Sequence, residues 1–127
     1  GACRPEQRMT PDLRTLAAAV VALPGWEWRA GMCVTNGDGL RVWLQTSRTS
    51  VPGWLPDITD PATGGALLAL MERAEPTLEL ARSPGGPQQN APWCALASPD
   101  AAEWVTGEGA TFGEAVARLA LKRGGWV

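Results

Sequence analysis

The residues of this chain that could do chemistry are carboxylates and arginines, with no histidine to move protons between them. Asp57 and Asp60 stand three positions apart, as do Glu72 and Glu75. A hydrolase built on carboxylates alone needs two acids converging across a cleft at a set separation, and no pair stands out by spacing. Asp60 precedes Pro61 and reads as a helix cap, while Glu72 and Glu75 read as solvent-facing. The absence of histidine removes the commonest general base and the commonest transition-metal ligand, so a Ser-His-Asp or Cys-His site cannot be assembled within one chain. Cys3, Cys33 and Cys94 are odd in number and lack a C-x-x-C spacing, which leaves no zinc set. Cys33 and Cys94 are expected to be buried free thiols of a reduced, cytoplasmic protein. Gly64-Gly65 follows neither phosphate-loop pattern. Gly64 is expected to let a helix pack closely on the sheet. No catalytic residue, metal ligand or cofactor is expected.

Binding chemistry is better represented. There are seven tryptophans, against one phenylalanine and no tyrosine. Trp26, Trp28, Trp43 and Trp54 cluster around one hairpin and its following loop, interleaved with Arg29, Arg41 and Arg48. Tryptophan beside arginine is the makeup of a protein-binding hot spot, so Trp26, Trp28, Arg41, Trp43, Arg48 and Trp54 are the candidate partner-binding residues. The same mixture could stack single-stranded nucleic acid. Charge argues against that as the main activity: residues 1–59 hold six basic and five acidic groups, residues 60–127 five and eight, giving +1 and −3 and the total of −2. Trp93 and Trp104 are expected to pair across adjacent strands.

The elements that must position these residues follow from caps and periodicity. With 127 residues, 45% of them hydrophobic, the chain suits one domain with a real core. Residues 1–9 read as an arm and 10–127 as the domain. No apolar run approaches the roughly 20 residues that span a bilayer. No apolar segment follows Arg4, Glu6 and Arg8, so no signal peptide is expected. Thr10-Pro11-Asp12 opens a first helix whose stripe is Leu13, Leu16, Ala17 and Val20, ended by Pro24-Gly25. Asn36-Gly37-Asp38-Gly39 is a hairpin turn joining Gly31–Val34 to a strand over 40–45. On that return strand Leu40, Val42 and Leu44 are expected to face inward. Arg41, Trp43 and Gln45 are expected on the other side, either covered by the loop over 46–59 or presented to a partner. Asp60-Pro61 opens a second helix with Gly64, Leu67, Leu68 and Met71 buried.

Strands are expected over Thr77–Arg82, Trp93–Ala97 and Trp104–Thr106. An exposed Gly/Pro-rich connection spans Ser83–Asn90, and Asp100–Ala102 turns. Gly107-Glu108-Gly109 reads as a turn before a last helix from Thr111. There Thr111 caps Glu114, and the Glu114 carboxylate returns to the Thr111 N–H. Lys122, Arg123 and Gly124-Gly125 close that helix. The order α-β-β-α-β-β-β-α predicts an α+β domain, an antiparallel sheet with helices packed on it.

The stretch from Trp93 through Trp104-Val105-Thr106 to Gly109-Ala110-Thr111-Phe112-Gly113-Glu114-Ala115 resembles the strand–strand–G-x-T-x-x-E-A–helix unit of HicB-like antitoxins. Leu13 to Trp28, Leu55 to Thr63 with Leu67 to Leu70, and the helix over 111–121 are similar to small phage and prophage proteins. The second resemblance implies a mobile-element accessory protein without assigned chemistry. The expected function is therefore non-enzymatic: binding a host protein, such as a defence or regulatory protein, in the bacterial cytoplasm. A nucleic-acid-associated or HicB-like module and a carboxylate-only hydrolase are the alternatives.

Overall fold

The computed structural model describes residues 10–47, 51–82, 93–98 and 104–127. The arm over 1–9, Cys3, Arg48, the Ser83–Asn90 connection and the turn over 100–102 lie outside the described residues. The described chain is an α+β fold: α1 (Pro11–Val21), β1 (Cys33–Thr35), β2 (Arg41–Trp43), β3 (Leu55–Pro56), α2 (Pro61–Ala74), β4 (Glu79–Arg82), β5 (Trp93–Ala97), β6 (Val105–Gly109) and α3 (Phe112–Arg123).

Each helix begins where a side chain satisfies backbone N–H groups that have no partner within the helix. Thr10 Oγ1 accepts from the Leu13 N–H at 3.2 Å and Pro11 takes the first helical position. Asp60 Oδ2 accepts from the N–H groups of Ala62 and Thr63, both at 3.0 Å. Thr111 Oγ1 accepts from Glu114 N–H at 3.2 Å. The reciprocal bond differs from expectation by one residue: Glu114 Oε2 accepts from Ala110 N–H at 2.7 Å. Its carboxylate lies over Gly109, where a Cβ would meet it. Gly124 ends α3 in the left-handed region at φ 92°, its N–H returning to the Ala120 carbonyl.

The strands form two antiparallel sheets rather than one, β2-β1-β3 and β4-β5-β6. The short β3 falls inside the stretch expected as a loop. It pairs with the buried β1, Val34 opposite Pro56 and Thr35 opposite Leu55. β6 runs to Gly109, so Gly107-Glu108-Gly109 is strand and not turn. The reason lies outside the segment. α3 crosses β6 so closely that a Cβ on Gly107 would stand 2.3 Å from the Leu119 nitrogen and 2.4 Å from the Ala115 oxygen. The glycine is required by the helix above it, and the turn reading took it for a conformational need.

Gly64 serves the same end at a different seam. A Cβ there would meet the Phe112 ring, and one on Gly113 would come within 2.6 Å of the Ile58 oxygen. The close approach is between α2 and the start of α3, not between α2 and the sheet. The core runs continuously between these layers: Leu16 and Val20 of α1, Met32 and Val34, Leu67, Leu70 and Met71 of α2, and Val116 and Leu119 of α3. Trp126 closes it, fully buried, with its Nε1 donating to the Val20 carbonyl at 3.0 Å.

Trp93 and Trp104 do not pair. Trp93 stands opposite Gly109 at one end of the β5–β6 ladder, and Ala97 opposite Val105 at the other. Trp93 packs edge-to-face on Phe112 at 5.9 Å, while Trp104 is exposed. Glu75 is the other correction. It is buried because it ends α2 beside Arg123 of α3, accepting from Arg123 Nε at 3.3 Å and from Thr77. Glu72 is exposed.

Candidate binding surface

The hairpin is built by its turn. Asn36 Oδ1 accepts from the N–H groups of Asp38 and Leu40, and Gly39 adopts φ 85°. This closes β1 and β2 in a register that sets Thr35 opposite Arg41 and Cys33 opposite Trp43. Arg41 and Trp43 therefore share one face, as expected, but the burial of the two faces is not as expected. Every residue of β2 is exposed, Val42 by 39% and Trp43 by 52%, and Leu40 before it by 57%. Only Leu44 is buried. β2 is an outer strand, and the loop does not cover Trp43. Its Val51 and Trp54 instead line a groove with Val34, Val42, Leu44 and Trp43 itself.

Arg41 is held by two acids. Its Nε lies 2.9 Å from Asp57 Oδ2 and its terminal nitrogen 3.5 Å from Asp60 Oδ1. Burial draws the Arg41 pKa down, but Asp57, Cys33 and Asp60 outweigh it, and the value rises. Burial pushes the neighbouring Cys33 thiol up, against the pull of the Arg41 guanidinium. Asp57 also accepts from the backbone and hydroxyl of Thr59. Both carboxylates are thus fully engaged as acceptors, Asp60 as a cap and Asp57 as a loop anchor. A catalytic pair would instead need one carboxyl held protonated and aimed at a substrate. The cluster borders a polar cleft of about 300 Å³ with Arg14, Thr35 and Asp38. Among the described residues no three of Cys, Asp and Glu gather into a metal site. Cys33 and Cys94 are free, the first buried and the second half-buried.

The remaining candidate residues divide. Trp28 is 4% exposed and belongs to the core. Trp26 is half-buried, meeting Trp28 at 5.3 Å and 88° and Trp126 at 5.6 Å. Among the described residues its indole N–H is buried without an acceptor. Trp54 is half-buried against the core. Two grooves lined by apolar side chains share it. One, of about 400 Å³, is walled by Trp26, Trp28, Val51 and Trp54. The other, of about 220 Å³, is walled by Trp43, Val42, Val51 and Trp54. The structure thus brings Trp26, Trp28, Trp43 and Trp54 around one ridge and withdraws Arg41 into its acid pair. Sequence reading missed Leu40, Val42 and Val51. Their apolar character was visible, but the exposure of Leu40 and Val42 depends on β2 lying at an edge, and Val51 is half-buried against the core.

No family model, curated protein or solved structure matches the chain. Among the described residues no helix is long and apolar enough to cross a membrane.

Proposed function

We propose that this chain is a non-enzymatic binding protein that docks a host protein on the ridge of Trp54 and Val51, with Trp43 as its exposed anchor. One observation carries the reading: two grooves lined by apolar side chains, four tryptophans among them, share that ridge beside an exposed edge strand. Partly exposed tryptophans next to pockets supply large, rigid contact area, which is what interface hot spots use. The setting of a phage accessory protein in the bacterial cytoplasm, acting on a defence or regulatory protein, rests on the sequence resemblance. The alternative modules, nucleic-acid binding and carboxylate hydrolysis, gain no support from the engaged Asp57–Arg41–Asp60 cluster. Pull-down from a bacterial lysate compares wild type with Trp43→Ala and Trp54→Ala, each checked for native circular dichroism. Loss of the same captured protein in both variants supports the reading. Unchanged recovery removes this surface from contention.

A further inference from the structure

β2 has two edges, and among the described residues only one pairs with another strand. Asn36 N–H donates to Leu40 O, Leu44 N–H to Met32 O, and Gly31 N–H to Leu44 O. With Val34 opposite Val42, residues 40, 42 and 44 turn their backbone groups toward β1. By the alternation of an antiparallel ladder, Arg41 and Trp43 turn theirs outward. β2 is the outer strand of its sheet, and among the described residues no strand pairs with its free edge.

Proteins that must stay apart blunt such an edge with lysine, proline, a bulge or a free charge. The run Leu40-Arg41-Val42-Trp43-Leu44 has none of these, and its one charge is neutralised by Asp57 and Asp60. It is also self-complementary about Val42. Laid antiparallel on a second copy of itself, it sets Val42 against Val42 and Leu40 against Leu44 on one face. On the other face it sets each Arg41, its charge already paired with Asp57 and Asp60, against the Trp43 of the other copy. No like charges meet.

We propose that the β2 edge is a two-fold self-association site, joining two copies of the chain into one continuous six-stranded antiparallel sheet centred on Val42. A single strand edge with three exposed apolar side chains is smaller than the roughly 800 Å² per partner of a stable dimer. The association is therefore reversible and set by concentration. It does not rest on the partner-binding reading, because it uses the backbone edge of β2, although Val42 and Trp43 belong to both surfaces and only Trp26, Trp28, Val51 and Trp54 lie outside the strand contact.

Sedimentation equilibrium over a concentration series is the first test. Wild type is expected to rise from 13.4 kDa toward twice that mass, and Trp43→Lys, which puts a charge on the edge, to stay at monomer mass throughout. The second test fixes the register in a Cys3→Ser, Cys94→Ser background. Val42 lies on the two-fold axis, where facing Cα atoms stand roughly 4.5 Å apart, within disulfide reach. Val42→Cys should cross-link to itself under mild oxidation. Leu40→Cys, equally accessible but about 14 Å from its copy, should not. Wild type remaining monomeric at the highest concentration, or Leu40→Cys cross-linking as fast as Val42→Cys, overturns the proposal. Loss of the lysate partner in Trp54→Ala with dimerisation intact would separate the two readings.

Discussion

Arg41 Nε lies 2.9 Å from Asp57 Oδ2, and the two side chains differ sharply in exposure, 35% against 2%. The arginine reaches inward from an exposed strand to neutralise an acid that, among the described residues, forms no other ion pair. Removing it leaves Asp57 buried and charged. Full burial of such an orphan costs about 3–5 kcal/mol, and the partial exposure of Arg41 reduces that here to about 2 kcal/mol. Arg41→Ala should therefore lower the urea midpoint clearly. Arg73→Ala, which breaks an exposed pair with Glu27, should change stability by no more than about 0.5 kcal/mol.

Two glycine-to-alanine substitutions should have opposite signs. Gly107→Ala drives a methyl into the α3 backbone at Leu119 and Ala115, where no side chain can swing away. A loss of about 3 kcal/mol or more is expected. Gly65→Ala meets nothing within 4 Å on the exposed face of α2 and should gain about 0.5–1 kcal/mol through helix propensity. Equilibrium unfolding of both variants in guanidinium reads the contrast.

Glu75 gives a pH dependence with a definite sign. Its bond from the Thr77 hydroxyl, then the Thr77 backbone N–H and Arg123, hold its carboxyl below the ordinary 4.5 against the effect of burial. A carboxyl depressed in the folded state contributes stability that is full above its unfolded pKa and fades as pH falls through the folded value. The stability difference between wild type and Glu75→Gln should be constant near neutrality and shrink below about pH 4.5. Thermal melts across pH 7 to 3 check it. A difference that widened with acid would contradict the assignment.

Trp126→Ala should cost about 3–5 kcal/mol, the usual range for emptying a buried aromatic site. Trp126→Phe retains most of the apolar volume but takes from the Val20 carbonyl its indole donor, leaving it the Leu23 N–H at 3.2 Å, and the lost bond costs about 0.5–1.5 kcal/mol. Denaturant titration should rank the variants wild type, Phe, Ala.

What could be read in the sequence was local. Thr10, Asp60, Thr111 and Gly124 mark helix ends because their side chains or φ angles act within one turn, and all four do so. The Asn36 turn closes for the same reason. What escaped depends on partners far along the chain. Gly107 answers to α3, Glu75 to Arg123, and the exposure of Val42 to β2 lying at an edge. Among the candidate residues, tryptophan type alone cannot separate Trp28, sealed in the core, from Trp43, half in solvent.

The edge-to-face stack of Trp26 with Trp28 and Trp126 has an optical consequence. Indole rings this close share their excited states, so the trio should give a circular-dichroism exciton band that no ring shows alone. The part of that band that comes from Trp126 exists only while its ring is seated beside Trp26, and the exposed Trp43 and Trp104 contribute little to it. The molecule thus carries its own spectroscopic gauge of whether two distant reaches of its sequence are joined.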